Sequence, residues 1–209
     1  MGWVREVFDT SKTYNWCRTV STPPSGYTGV VPDLSLIAEF LNTVDERTFR
    51  RHGENHTAAD VLASPRALSA WLTAHDLAPA GTRVSNAELT QAVALRTGLR
   101  QALLDDSGAA RVLADHPLHL VPEPSGGLRL AAVSGPPWSA ALVETVATNA
   151  ARGDWARLKL CAAPDCRWAF HDTSRSGRGR WCDMDVCGNR HKTRAYRERK
   201  QADGGPATN

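Results

Sequence analysis

Cys161-Ala162-Ala163-Pro164-Asp165-Cys166 and, after a gap of fifteen residues, Cys182-Asp183-Met184-Asp185-Val186-Cys187 form two close cysteine pairs near the C-terminal end of a 209-residue chain. A short pair makes a turn that points two sulfurs the same way, and two such turns across a loop supply the four ligands of a tetrahedral thiolate site. Zinc is the metal expected. Disulfides are the competing account, disfavoured because clustered cysteines in a chain without a secretory signal suit metal better than oxidation. Four thiolates leave no coordination position for a water, so the single ion is read as structural. His171 and His191 are the substitute ligands, although they read more simply as a strand and a helix residue. The fifth cysteine, Cys17, has no partner signature and reads as an incidental thiol.

Outward from the pairs, residues 157–160 and 168–171 alternate in strand fashion, and the residues after Cys187 read as a helix. Together they make a small four-cysteine zinc-ribbon or treble-clef-like module ending in a basic helix. Some thirty residues cannot build an adequate core alone, so metal binding would supply most of the folding free energy, on the order of 10 kcal/mol. Arg190, Arg194, Arg197 and Gln201 follow i, i+4, i+7 spacing, with Lys192, Arg199 and Lys200 on adjoining faces. The stretch 174–180 adds Arg175, Arg178 and Arg180 among serines and glycines, and by composition it reads as disordered.

Charge is divided unevenly. Residues 167–200 hold ten Lys/Arg and four Asp/Glu, whereas the rest holds fifteen basic and eighteen acidic residues, so a net charge of +3 conceals a basic end. Such asymmetry points to an anionic partner, duplex DNA first. Eight of the ten basic residues are arginine, which pairs with phosphate in two-pronged fashion. The nine from Arg175 onward are the candidate nucleic-acid contacts, with Arg190 assigned first to offsetting thiolate charge. Trp168, Phe170 and Trp181 either stack unpaired bases or cover the metal, and in so small a module cover is favoured.

Upstream the pattern is mainly helical. Leu34, Ile37, Ala38, Leu41 and Val44 recur at helical spacing behind Asp33; Ser64-Pro65 opens a second helix, and Ser85-Asn86-Ala87-Glu88 opens a third that runs to about Asp105. Residues 118–121 and 128–133 suggest a β-hairpin, and a further helix follows Pro136-Pro137 and ends near Gly153. The fold class is therefore α+β, divided as an unassigned segment 1–31, a mainly helical domain 32–153, the finger 154–201 and a flexible tail 202–209.

Several functions are disfavoured. No apolar run approaches the roughly 20 residues of a membrane span, and Glu6 stands where a myristoylation signal needs Ser or Thr. His52-x3-His56 lacks the order of a metalloprotease motif, and no phosphate loop or nucleophile elbow occurs. A cytoplasmic, non-enzymatic protein is expected.

The string from Cys161 through Cys166-Arg167-Trp168-Ala169-Phe170-His171-Asp172, then Arg180-Trp181-Cys182-Asp183-Met184 and Cys187-Gly188-Asn189-Arg190, closely resembles the CGNR zinc-finger family over the last fifty residues. Glu39-Phe40-Leu41-Asn42-Thr43-Val44-Asp45, Asp60-Val61-Leu62-Ala63-Ser64-Pro65 and Ala94-Leu95-Arg96 resemble the ABATE domain that accompanies this finger. The resemblance implies zinc at Cys161, Cys166, Cys182 and Cys187, and a DNA-binding finger in a bacterial, stress-associated transcription regulator. The helical domain is left to sense a small-molecule effector or to form a homodimer. Two other readings stay open: a finger that is a protein-docking or purely structural element, and a module for RNA or single strands.

Overall fold

The computed structural model describes residues 33–51, 54–104, 113–124 and 126–203. The segment 1–31 with Cys17, His52, and residues 204–209 of the expected tail lie outside them. Helix α1, Leu34–Leu41, starts where the Asp33 carboxylate accepts the Ser35 amide at 2.7 Å. Leu34, Ile37, Ala38, Phe40 and Leu41 are all buried, so α1 lies in the core and not on its surface. It is shorter than its spacing predicts. Asn42 commits its side chain elsewhere, the Thr43 hydroxyl donates to the Phe40 carbonyl at 2.7 Å, and Val44 continues as strand β1, Val44–Asp45. That strand pairs with β4, Ala59–Asp60, around a second pair, β2 (Arg50–Arg51) and β3 (Glu54–Asn55). Two-residue strands carry too little alternation to be seen in a sequence.

Helices α2 and α3 begin at the predicted caps. In α2, Pro65–Ala74, the Ser64 hydroxyl accepts the Ala67 amide, and Leu68, Trp71 and Leu72 are buried. In α3, Asn86–Leu103, Ser85 and Glu88 exchange both bonds of a capping box, and Ala92, Leu95 and Leu99 face the core. The hairpin β5 (Leu118–Pro122) and β6 (Leu128–Ala132) pairs Leu120 with Leu130. It packs on α4, Pro137–Arg152, whose Glu144 accepts the Ala132 amide at 3.0 Å. α4 ends at Gly153, where φ is +82°, a left-handed terminus that favours glycine.

A 3₁₀ turn, Asp154–Arg157, leads into β7, Leu158–Leu160, which pairs antiparallel with β8, Ala169–His171. Leu158, Leu160 and Ala169 belong to the same buried cluster as α1 to α4. The hairpin that carries the first cysteine pair is therefore rooted in the main core. Full burial of one leucine contributes about 1.5–3 kcal/mol.

Two buried arginines of α3 sit on its inward stripe. Arg96 forks onto Asp60 at 2.7 and 2.6 Å and donates to the Thr43 hydroxyl at 2.9 Å, so residues from all three of the shorter sequence words meet at one place. The Asp60 carboxyl is held below its usual range, first by that hydrogen bond. Arg100 donates to the Leu41 carbonyl and the Arg167 carbonyl, each at 3.1 Å, and pairs with Glu46 at 2.9 Å. It ties the end of α1 to the turn just beyond Cys166. None of the described helices is long and apolar enough to cross a membrane.

Candidate metal centre

The first cysteine turn is closed by the Ala163 carbonyl, which accepts the amides of Cys166 and Arg167 at 3.0 and 3.2 Å. Arg167 takes a left-handed conformation with φ of +51° so that the chain can double back, and the Cys161 amide then donates to the Trp168 carbonyl at 2.9 Å. The second turn is a wide π-type turn, Met184–Gly188, in which the Asp183 carbonyl accepts the amides of both Cys187 and Gly188. The Asp183 carboxylate caps it by accepting from Asp185 and Val186. The Ala162 amide donates to the Arg180 carbonyl at 2.8 Å and so joins the first turn to the segment that leads into the second.

All four Sγ atoms lie within 4.8 Å of one another. Cys166 to Cys182 is 3.7 Å and Cys182 to Cys187 is 3.8 Å. Sulfurs at about 2.3 Å from a tetrahedral zinc sit about 3.8 Å apart, whereas a disulfide needs about 2.05 Å. The donor set fits a zinc ion, and these spacings do not fit disulfides. Cys161, Cys166 and Cys187 are buried and Cys182 half-buried. Without a cation the four thiols cannot ionise together: hydrogen bonds from Cys166 and Cys182 hold Cys161 down to about 2, while burial pushes Cys187 up to about 12. The same mutual hydrogen bonding raises Cys166 and Cys182. A bound cation reverses this penalty by stabilising every thiolate.

Each residue of Cys187-Gly188-Asn189-Arg190 has a role. Cys187 supplies a sulfur; a Cβ at Gly188 would stand 2.5 Å from Met184 Sδ, so a larger residue would have to displace the exposed Met184 side chain. Asn189 donates to the Asp185 carbonyl at 3.1 Å and braces the turn. Arg190 pairs with Asp165 of the first turn and lies over the Phe49 ring with its guanidinium carbon 3.6 Å from the centroid. Sequence assigns Arg190 first to offsetting thiolate charge; the partners it has here are the Asp165 carboxylate and the Phe49 ring. His171 and His191 lie outside the sulfur group, and the His191 ring instead packs 4.7 Å from Trp181.

The centre also recruits residues that sequence reasoning passed over. Phe49 packs with Trp168, Trp181 and Val186 against the cysteines, and the Arg47 guanidinium lies 3.9 Å from the centroid of the Trp168 ring. Burial works against the Arg47 charge, yet the hydrogen bond from Arg47 to Asp45, followed by the charges of Asp45, Cys166 and Cys182, keeps its pKa above the ordinary value. Asn42 forms a two-bond clasp with Ala169, donating to its carbonyl at 2.9 Å and accepting its amide at 2.7 Å. No local signal marks the contacts of Asn42 with Ala169, of Arg47 with Trp168 or of Phe49 with the cysteines, because those partners are more than a hundred residues apart.

The arginine-rich loop 174–180 departs from the disorder expected of its composition. Lys159 donates to Asp172 at 2.6 Å and to the Gly177 and Gly179 carbonyls at 2.5 and 3.2 Å. Asp172, 4% exposed, accepts the amides of Ser174 and Gly179 at 3.1 and 2.7 Å. Burial opposes ionisation, but Lys159 and these donors hold the carboxyl well below its usual range. A Cβ at Gly179 would meet Asp172 Oδ1 at 2.7 Å, so glycine is needed for the close approach. Buried polar satisfaction orders a segment that has no apolar anchor. Arg175, Arg178 and Arg180 project from it exposed.

Helix α5, Asn189–Asp203, follows directly from the second turn. Lys192, Arg194, Arg197, Arg199 and Lys200 are exposed, and Arg194 pairs along the helix with Glu198 at 2.9 Å. Its composition is strongly polar, and its packing contacts are made chiefly with the π-type turn.

Comparison with known families agrees with this geometry. The CGNR zinc finger model matches residues 157–200. The ABATE model, described as "Putative stress-induced transcription regulator", matches residues 34–163. The two matches share 157–163, the strand and first cysteine that serve both the main core and the sulfur centre. No curated protein matches the chain. With well over half its length covered, this chain belongs to the ABATE family and carries a CGNR zinc finger at its C-terminal end.

Proposed function

We propose that the chain is a zinc-stapled transcription regulator that binds duplex DNA through α5 and the arginine loop. The observation that carries this reading is the exposure of Arg194, Arg197 and Arg199, with Lys192 and Lys200, on a helix fixed at its first turn by a metal ligand. A helix used only to dock on its own domain would bury those side chains, whereas Arg194 stays exposed while pairing along the helix with Glu198. Four sulfur ligands give the ion a structural role, holding the turns rigid, and leave no position for an activated water. A basic helix anchored at its N-terminus can present guanidinium groups to phosphates and base edges of a major groove.

Single-strand or RNA binding is less well supported. Trp168 is half-buried against the cysteines and covered by Arg47, and Trp181 lies between Arg180 and His191, so both act as cover for the centre. Competition of the zinc-loaded protein among duplex DNA, single-stranded DNA and RNA at two salt concentrations tests the reading. Duplex should compete best, with affinity falling by about 0.9 log unit per log unit of salt for each phosphate contacted. Salt-insensitive or absent binding to duplex contradicts it.

A further inference from the structure

The arginines of α5 do not all face the same way. Arg190, Arg194 and Arg197 line one open groove of about 660 Å³, and its other wall includes exposed Arg50, from the strand pair β2–β3 of the N-terminal domain. Lys192, Arg199 and Lys200 lie on other faces of the helix. Four guanidinium groups, those of Arg50, Arg190, Arg194 and Arg197, line the groove beside the carboxylates of Asp185 and Glu198, while Arg190 also pairs with Asp165 and Arg194 with Glu198. Cations from two stretches of chain some 140 residues apart thus converge on one concave surface. The convergence is held by the sulfur centre, since Phe49, adjacent to Arg50, packs against the cysteines and beneath Arg190.

We propose that this groove seats the phosphodiester backbone of duplex DNA, with Arg50 of the N-terminal domain completing a site whose other side is Arg194 and Arg197. The proposal rests on the DNA reading above and adds that the ABATE domain itself touches the nucleic acid. Guanidinium groups fork onto phosphate oxygens, and a concave cationic surface attracts a polyanion more strongly than scattered surface charge. An acidic protein segment would bring carboxylates into the same groove, but each carboxylate offers two oxygens on a flexible side chain, whereas the phosphodiester groups of a duplex arrive at fixed, regular spacing. Seating a strand here also sets the rotation of α5 about its axis, leaving Lys192, Arg199 and Lys200 for the rest of the duplex.

The test is a salt titration of duplex binding by the full chain, zinc-loaded, as wild type, Arg50→Gln and Arg50→Lys, with zinc content and melting temperature measured for each. Arg50→Gln should weaken binding and reduce the salt slope by about 0.9, the loss of one phosphate contact. Arg50→Lys should keep the slope, because a point charge still neutralises a phosphate. Should Arg50→Gln not fold, Arg50→Ala takes its place: a salt slope unchanged from wild type with zinc retained overturns the seat. An unchanged slope in folded Arg50→Gln overturns the seat and leaves the DNA reading intact. No duplex binding by wild type at any salt overturns both. Displacement of bound duplex by polyglutamate as readily, per charge, as by unlabelled duplex overturns the seat in favour of an acidic protein.

Discussion

The main core and the sulfur centre hold their residues in place by different means. In the core, Phe40, Leu68, Leu72, Leu95, Leu99 and Leu142 are fully buried, and stability comes from apolar area removed from water. The centre is built from Cys161, Ala163, Cys166 and Cys187 with half-buried aromatics around them, too little apolar area for independent stability. One region can tolerate the loss of a single group by partial relaxation; the other depends on four sulfurs acting together. Hairpin β7–β8 belongs to both, so the two regions should separate on the far side of that hairpin.

The largest effect is expected from Cys166→Ser. Removing one thiolate should abolish stoichiometric zinc binding and with it a stabilisation on the order of 10 kcal/mol for the residues beyond β8. Amide exchange should show protection lost over 174–203 and largely kept in α1 to α4. Uniform loss of protection across both regions would break the distinction.

Leu72→Ala tests the other side. Leu72 is 0% exposed, and its truncation should cost about 2–5 kcal/mol in chemical denaturation while zinc content stays at wild-type level. Zinc loss in this variant would show that the core and the centre stand or fall together.

These regions also differ in how much of them a sequence displays. Asp33, Ser64 and the Ser85–Glu88 capping box announce helix starts because a cap bonds within three residues. The cysteine quartet is legible for a related reason: each pair is a local turn, and only the meeting of two turns is tertiary. The clasp of Asn42 on Ala169, the cover of Trp168 by Arg47 and the pairing of Arg190 with Asp165 join distant residues, and nothing local distinguishes Asn42 or Arg47 from a solvated side chain. The arginine loop misleads by composition for the same reason, since its order comes from Lys159 and Asp172, brought together by the hairpin β7–β8.

Asp172 gives a pH-dependent prediction. Its folded pKa is depressed, so its contribution is present above the ordinary carboxylate value of about 4 and is lost as pH falls toward the folded value. Asp172→Asn should cost about 2 kcal/mol at neutral pH, and the gap from wild type should narrow as pH falls below about 4 toward the folded value. A gap that stays constant over that range would show that the carboxylate charge contributes nothing. The same variant should loosen loop 174–180, seen as faster exchange at the Gly179 amide.

A smaller effect is expected at the seam. Asn42→Ala leaves the Ala169 amide and carbonyl without the side-chain partner that matches them, at a cost of about 1–2 kcal/mol. Asn42→Gln should not rescue it, because the extra methylene displaces the amide from the strand edge. Recovery to wild-type melting in that variant would show that the clasp has no geometric requirement.

X-ray absorption at the metal edge of the freshly purified chain, combined with metal stoichiometry, tests the central claim most directly. One zinc per chain surrounded by four sulfurs at about 2.3 Å is the result predicted. Absence of a stoichiometric metal, or a first shell containing nitrogen or oxygen in place of any sulfur, contradicts it.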